Sequence, residues 1–435
     1  MTSSATREFF FSSALQHDGW AKDVHVVATD GIITSINRQV APSDFSASVE
    51  HVDGIALPGM CNVHSHAFQR AFAGLSEYRT SEHDSFWTWR KLMYESANSL
   101  TPEDVYTIAK GLYGELKSQG YTWVGEFQYL HNDKDGGLYS EAGIMSNRLV
   151  QAARDVGIGI CILPVLYQRA GFSGGELDPV QKRFVLSNDQ FVDLVQQLRT
   201  DWNSDPNVQV GIAFHSLRAV TAETIRTVTE AVRKDDPKTP IHIHVAEQLK
   251  EVADCRSTHG ARPVEFLLNE APVDEHWCLI HATHLNPEEV TGIANSKAIV
   301  GLCPTTEANL GDGIFPAEEF LDTGGRISIG SDSHVCTNPR SELRLLEYGQ
   351  RLTKHRRAVL GTDTMSVGRR LYEAAANDGA AALGIAGGNL AVGQRAEFVI
   401  LDSNHPAIAH AEEDRCLDRY IFCDSGNPVK RTIVA

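Results

Sequence analysis

No run of apolar residues in this chain is long enough to cross a bilayer, so we expect no membrane-spanning segment. The N-terminal stretch MTSSATREFFFSS also lacks the basic-then-apolar pattern of a secretory signal. A basic excess is missing: 39 Lys and Arg stand against 56 Asp and Glu, a net charge of -17, which argues against nucleic acid as a partner. The eight cysteines include no CxxC pair, so a zinc–thiolate cluster is not expected. Together these absences favour a cytoplasmic protein with buried, reduced thiols.

Both ends of the chain are predicted to be β-structure. VHVVATDGIITSIN indicates two strands about an Asp30-Gly31 turn, and LAVGQRAEFVILD, DRYIF and VKRTIVA supply further strand candidates near the C-terminus. We expect residues 1–57 and 385–435 to pair into one small β-sandwich domain.

Between the ends, strands alternate with helices. One helix is predicted from Thr101, as N-cap, to Gly120, as stop signal, because its apolar residues recur on a single face. Counting the strand before His64, eight strand candidates follow one another. This pattern predicts an α/β fold, a (β/α)8 TIM barrel over residues 58–384, whose active site lies at the carboxyl ends of the strands.

Ligand-type side chains stand at those predicted strand ends. His64 and His66 end the first strand and point to the same side, since alternate residues of a strand do so. His242, His244 and Glu247 belong to the fifth strand and its end. The other predicted strand ends carry Glu126, Gln128 and Tyr129; His215 and Arg218; His281 and His284; and Asp332 and His334. A single strand-end histidine is usually structural, but so many strand ends of this type predict a metal site.

We take His64, His66, His244 and Asp332 as the ligand set. Nitrogen and carboxylate ligands without thiolate suit zinc, with iron or manganese possible. No lysine stands at the ends of the third and fourth strands to bridge two ions, so one metal per chain is favoured. Zinc lowers the pKa of a coordinated water to about 7, and this water needs a proton carrier. Glu247 is our candidate, against the alternative of a helix-capping carboxylate, and His281 could hold the water and stabilise developing charge. His242 is interpreted as a packed or supporting histidine.

Several motifs carry a family resemblance that covers essentially the whole chain. PGMCNVHSH, HVAEQ, the histidine of CLIHATH and the aspartate of GSDSH resemble the amidohydrolase superfamily, in its single-metal deaminase branch. The longer segments HSHAFQRAFAGLSE, DSFWTWRKLMY, GYTWVGEFQYLH, HSLRAV, WCLIHATHL and LRLLEYGQRL are similar to the formimidoylglutamate deiminases. Such enzymes belong to histidine breakdown and convert a formimino group to formyl with release of ammonia.

The resemblance implies a role for each matching residue. It implies metal ligation by His64, His66, His244 and Asp332, and catalytic roles for Glu247, His281 and Asp332. It implies substrate binding by Gln69, Arg90, Tyr129, His215 and Arg218. The expected substrate is a small dicarboxylate amidine, and Arg90 and Arg218 are candidates for gripping its two carboxylates. A homodimer is expected as well. The chain departs from the family pattern at Gln128, where histidine is expected, and at CTNPRSE after Asp332.

Two other hypotheses about the function stay open. One is another deaminase of the same branch, acting on guanine, cytosine, adenosine or a guanidino compound, which would use aromatic stacking in place of two arginines. The other is a metal-free barrel that serves as an interaction scaffold. Ammonia release from formiminoglutamate separates the first from our expectation, and metal analysis separates the second.

Overall fold

The structure is a computed structural model that describes residues 5–41, 48–75, 77–78, 86–175 and 177–435. Parts of the predicted end domain (residues 1–4 and 42–47) and of the motifs HSHAFQRAFAGLSE and DSFWTWRKLMY (residue 76 and residues 84–85) lie outside the described residues.

Strands and helices alternate through most of the described chain. The strands are β1 (Thr6–Gln16), β2 (Gly19–Thr29), β3 (Ile32–Asn37), β4 (Glu50–Pro58), β5 (Met60–Ser65), β6 (Tyr121–Gln128), β7 (Gly159–Leu166), β8 (Val208–Val210), β9 (Ile212–Ser216), β10 (Ile241–Val245), β11 (Trp277–His281), β12 (Ile299–Leu302), β13 (Arg326–Ile329), β14 (Phe398–Leu401) and β15 (Val429–Ile433). The α-helices are α1 (Phe86–Ser99), α2 (Pro102–Ser118), α3 (Ile144–Val156), α4 (Asn188–Trp202), α5 (Ala222–Arg233), α6 (Leu249–His259), α7 (Pro263–Glu270), α8 (Pro287–Ser296), α9 (Pro304–Leu310), α10 (Ala317–Asp322), α11 (Pro339–Lys354), α12 (Val367–Ala382) and α13 (Asp414–Phe422). Two 3-10 helices span Ala67–Phe72 and Pro179–Phe184.

The predicted β-domain built from both chain ends is confirmed as a six-stranded sheet in the order β15-β14-β4-β1-β2-β3. Its own apolar core includes Phe9, Phe11 and Phe398. The predicted turn joins β2 to β3: Asp30 and Gly31 both have positive φ, 50° and 78°, as a two-residue hairpin turn requires. The exact domain limits stay a prediction, since β4 ends at Pro58, β5 begins at Met60, and α12 ends at Ala382.

The predicted barrel is confirmed. Eight parallel strands lie in the order β5-β6-β7-β9-β10-β11-β12-β13, and a bridge between Ser65 and Asp332 joins the last strand to the first. At this junction the backbones approach closely, because a Cβ on Gly330 would lie 2.7 Å from the Cβ of His64. The carboxyl ends of all eight strands therefore surround one site.

Two details differ from the sequence prediction. The fourth predicted strand is split, because only residues after Gly211 form the barrel strand β9, while β8 pairs with β7 alone. DRYIF is not a strand but part of α13. Its buried residues Cys416, Leu417, Tyr420 and Ile421 follow helical spacing, so the helix buries one face against the protein.

The helix predicted from Thr101 is confirmed as α2. Thr101 accepts a hydrogen bond from the backbone of Asp104, whose side chain in turn accepts from the backbone of Thr101. Among the helices of the described residues, none combines the length and the hydrophobicity that a bilayer-spanning segment needs.

Candidate active site

The strand β5 delivers two imidazoles to the centre of the barrel mouth. Every residue of β5 is buried, and the rings of His64 and His66 lie 4.5 Å apart between centroids. His244, at the end of β10, brings its Nε2 to 3.0 Å from the Nε2 of His64. Asp332 follows β13, and its Oδ1 lies 3.5 Å from His64 Nε2 and 3.4 Å from His66 Nε2. The four predicted ligands thus converge from three strands that are far apart in sequence.

Hydrogen bonds on the far side of two rings fix which nitrogen faces this centre. His66 donates from Nδ1 to the carbonyl of Phe127 at 3.0 Å, and His244 donates from Nδ1 to the carbonyl of His215 at 2.8 Å. Because a carbonyl only accepts, Nδ1 carries the proton and Nε2 presents its lone pair to the centre. Metal-ligating histidines are typically oriented in this way.

The ionisation state of the three imidazole rings also suits metal binding. Burial lowers the pKa of His64, His66 and His244 below the usual range, so the three imidazoles are neutral at pH 7. Neutral imidazoles and one carboxylate are a donor set suited to zinc or a similar divalent ion. The Cys303 thiol also lies within reach of Asp332 and His281, but burial raises its pKa well above the usual range, so it stays protonated. These residues fit the metal that the sequence predicts.

The backbone is strained where β10, β11 and β13 meet the site. Ala246, His281 and Asp332 have φ values of 52°, 69° and 46°, in the left-handed region that residues other than glycine rarely adopt. Such strain clusters at functional sites, because the surrounding structure must hold it in place. Here it turns side chains that leave parallel strands toward a shared point.

Glu247 and His281 lie beside the ligand cluster. Glu247 Oε1 is 3.8 Å from His281 Nε2, and the same nitrogen is 3.8 Å from Asp332 Oδ2. Burial raises the pKa of Glu247, although His281 and Arg218 partly offset this effect. Burial acts to lower the pKa of His281, but the nearby carboxylates of Glu247, Glu307 and Asp332 outweigh it and raise that pKa to about 10. A carboxyl group and an imidazole, both of which are chemically able to transfer protons, therefore lie next to the metal-type cluster.

One cavity brings the predicted substrate residues to this pair. Its lining includes all five of them, Gln69, Arg90, Tyr129, His215 and Arg218. From the centre it includes His66, His244, Glu247, His281 and Asp332, but not His64. Helix α1 closes one side with Phe86, Trp89 and Met93.

The two arginines differ in their surroundings. Arg90 donates from Nη2 to the hydroxyl of Tyr167 at 3.2 Å. Arg218 has its Nη2 3.8 Å from Glu247 Oε2, whereas its buried Nε and Nη1 have no hydrogen-bond partner among the described residues. Buried N–H groups of a cation are costly to leave unpaired, so Arg218 is suited to an anionic ligand.

The two departures from the family pattern have local roles outside the cavity lining. Gln128 is buried and donates to the carbonyl of Leu130 at 2.8 Å, which supports the turn after β6. In the segment after Asp332, Asn338 caps α11 by accepting from the backbone of Arg340. His242 donates to the carbonyl of Ala382 at 2.8 Å inside the barrel, which is the packing role expected of it.

Sequence reasoning did not single out Glu307 or the hydrogen-bond network under the ligands. Ser65 donates to Glu126 at 2.5 Å and contacts His334 Nε2 at 3.2 Å, so the residue between the two histidines connects β5 to β6 and to the segment that follows β13. The alternation of β5 predicts that Ser65 points away from His64 and His66, but not which residues it meets.

Comparison with known proteins places this architecture in a family. The chain belongs to the amidohydrolase family, whose sequence profile matches residues 55–435. It is an enzyme of the hydrolase class that acts on carbon–nitrogen bonds. Formimidoylglutamate deiminase from Pseudomonas aeruginosa is 47% identical over 428 residues, covering 98% of this chain and 93% of that protein.

Two further relatives give the range of similarity. An amidohydrolase from Brucella melitensis has a solved structure with a TM-score of 0.90 and 42% identity, covering 98% of this chain and 92% of that one. 8-Oxoguanine deaminase from Pseudomonas aeruginosa is 28% identical over 330 residues, covering 72% of this chain and 67% of that protein.

Proposed function

We propose that the protein hydrolyses N-formimino-L-glutamate to N-formyl-L-glutamate and ammonia, in histidine degradation. The observation that carries the proposal is one cavity that holds two arginines, Arg90 and Arg218, beside the metal-type cluster and Glu247. Formiminoglutamate has two carboxylates and one amidine carbon, so the chemistry of the cavity matches it group by group. The 47% identity to a formimidoylglutamate deiminase supports the same assignment.

Recognition of the substrate must be local, because a chain with net charge -17 repels a dianion at long range. Arg218 supplies its buried Nε and Nη1, which lack hydrogen-bond partners in the described part of the chain, and Arg90 supplies a guanidinium held by Tyr167. Gln69 donates to the Tyr129 hydroxyl at 3.2 Å, and its buried Oε1 has no hydrogen-bond partner among the residues that the structure describes. In our proposal these groups and His215 hold the substrate with its formimino carbon at the cluster.

Glu247 and His281 would handle the protons. His64, His66, His244 and Asp332 would hold one zinc ion, with iron or manganese as alternatives, and the bound ion supplies water that is activated at neutral pH. Glu247 would accept a proton from the attacking water as the water oxygen adds to the formimino carbon, and would pass this proton to the formimino nitrogen. It would then take the remaining hydroxyl proton of the adduct and deliver it to the same nitrogen. The carbon–nitrogen bond breaks, ammonia leaves and the formyl group remains. His281, 3.8 Å from Glu247, stabilises the charge that develops.

The test is ammonia release by the purified, metal-loaded protein. We expect turnover of formiminoglutamate that exceeds turnover of guanine, cytosine and adenosine by orders of magnitude. Preference for one of the ring compounds would contradict the proposal and favour another deaminase, for which Phe86 and Trp89 in the cavity would serve as stacking surfaces. A protein without tightly bound metal and without turnover would favour the scaffold.

The cellular setting is part of the same proposal. All eight cysteines are unpaired and six of them are buried, which supports a reducing compartment such as the cytoplasm.

For the homodimer, support comes from a groove that includes Ile314 and Leu352, whose exposed fractions are 52% and 75%. Light scattering on the wild type and on Leu352→Glu tests this: we expect a dimer that the added charge weakens, and a wild-type monomer would contradict it. Nucleic acids and membranes are not expected partners.

A further inference from the structure

A buried carboxylate lies against the side of His281 that faces away from Glu247. The Oε1 of Glu307 is 3.2 Å from His281 Nδ1, while the opposite nitrogen, Nε2, faces Glu247 and Asp332 at 3.8 Å each. Glu307 is 4% exposed and does not line the cavity that contains Glu247. It therefore contacts a proposed catalytic residue without reaching the substrate.

The start of helix α9 fixes the position of this carboxylate independently of His281. Cys303 is the N-cap of α9 and its side chain makes no capping hydrogen bond. Instead, Glu307 Oε1 accepts from the backbone N–H of Cys303 at 2.9 Å, and the backbone N–H of Glu307 donates to the Cys303 carbonyl at 2.9 Å. The carboxylate is thus held by the first turn of its own helix.

An acceptor at this place determines how His281 presents itself to the site. Because the Glu307 carboxylate accepts a hydrogen bond from Nδ1, that nitrogen carries a proton and Nε2 is the one directed at Glu247. The backbone of His281 is also held in a strained conformation, because its φ is 69° and the φ of the next residue, Ala282, is 47°. Backbone strain and the bond to Glu307 together orient one imidazole.

We propose that Glu307 is a positioning residue for the deimination, which acts only by holding the His281 ring and its Nδ1 proton. The kinetic test of this inference rests on the proposed function, but the hydrogen bond between Glu307 and His281 can be measured without turnover. It predicts that changes at Glu307 alter turnover and leave substrate affinity and metal content unchanged.

A double-mutant cycle separates positioning from general destabilisation. We expect Glu307→Leu to lower kcat at least tenfold, with KM within twofold of the wild type and unchanged metal content. In a His281→Ala background, the same change should lower kcat less than twofold, because its target is gone. Losses that multiply in the double variant would overturn the proposal, as would a Glu307→Leu enzyme with normal kcat.

Glu307→Gln tests the acceptor itself. The amide oxygen can still accept from Cys303 and His281, so this variant should retain more activity than Glu307→Leu. Equal losses would overturn the positioning role, because the retained acceptor would then have no effect. Glu289→Gln is the matched control: Glu289 is a buried carboxylate that binds Arg262 at 2.7 Å and lies outside the cavity lining, so its kcat should stay normal.

A spectroscopic arm keeps the proposal testable if Glu307→Leu fails to fold or if formiminoglutamate is not the substrate. Imidazole 1H–15N spectra of the metal-loaded wild type should show a slowly exchanging Nδ1–H signal that disappears in His281→Ala. The signal should persist in Glu307→Gln with a changed shift. Absence of the signal from the wild type would overturn the inference, whereas lack of ammonia release with the signal present would overturn only the proposed function.

Discussion

Replacing Arg218 by methionine removes a buried cation while keeping a long apolar stem, and it should damage catalysis more than the same change at Arg90. Arg218 has two buried N–H groups without a partner among the described residues, so a substrate carboxylate would gain two charge-assisted hydrogen bonds there. Losing these hydrogen bonds should reduce transition-state binding by on the order of 2–5 kcal/mol, which corresponds to a decrease in kcat/KM of about thirtyfold to several-thousandfold. Arg90 is half-buried and already bonded to Tyr167, so about 1.5–3 kcal/mol, or about tenfold to 150-fold, is expected for its loss.

The assay is ammonia release from formiminoglutamate at substrate concentrations below KM, with metal content measured on each variant. N-formiminoglycine, which has one carboxylate, serves as the second substrate. It should be poor for the wild type, and one of the two arginine variants should lose little further activity on it. Arg226→Met is the matched control, because Arg226 is exposed on α5 and pairs with Glu270 at 2.9 Å, away from the cavity.

Two results would refute this reasoning. Equal wild-type activity on the monocarboxylate and the dicarboxylate would show that the two arginines do not bind the two carboxylates of the substrate. A loss in Arg218→Met no larger than that in Arg226→Met would show that the unpartnered N–H groups of Arg218 do not bind the substrate.

Three further outcomes are expected. Glu247→Gln should keep the fold and the metal and lose about 10²–10⁴-fold in kcat, measured by ammonia release, and near-normal activity would make Glu247 a structural residue. Elemental analysis should find about one zinc-like ion per chain, and chelation should abolish turnover until zinc is restored; two tightly bound ions would contradict the four-ligand set. Burial raises the pKa of Glu126 from 4.5 to about 7, so its neutral form stabilises the fold fully below pH 4.5 and this stabilisation is lost as pH rises through 7. The difference in unfolding free energy between wild type and Glu126→Gln, from urea titration of the metal-free proteins at pH 4.5 and pH 8, should therefore change by roughly 3 kcal/mol, and a pH-independent difference would contradict the burial effect.

The barrel could be predicted because its signals are local. Apolar runs that end in His64, His244, His281 and Asp332 identify strands by their composition, and the polar residues at their ends identify a site. DRYIF in α13 could not be assigned by the same reasoning, since five residues do not distinguish an alternating pattern from a helical one. The split at Gly211 depends on neighbouring strands, which a local pattern does not reveal.

Within the site, Glu307 is a residue whose contact could not be predicted from the sequence. It belongs to a seven-residue helix after β12 and reaches the histidine of the preceding strand, β11, 26 positions earlier in the sequence. Nothing in TTEANL distinguishes this carboxylate from a solvent-exposed one, and only the side-by-side packing of β11 and β12 brings the two together. The roles assigned to the ligand, proton-transfer and substrate residues stay predictions for the experiments above.

The closure of the barrel between β5 and β13 also has a consequence for how the protein is made. Asn62 and Ser331, which hydrogen-bond across this junction, are 269 residues apart in the chain, and Asp332 meets His64 and His66 only when the junction forms. Contacts of such long range are among the last to form in folding. A chain emerging from the ribosome without β13 has three of its proposed ligands but no junction to bring the fourth. Metal capture would then mark the end of barrel assembly, and truncated chains would lack whatever stabilisation a bound ion gives the finished protein.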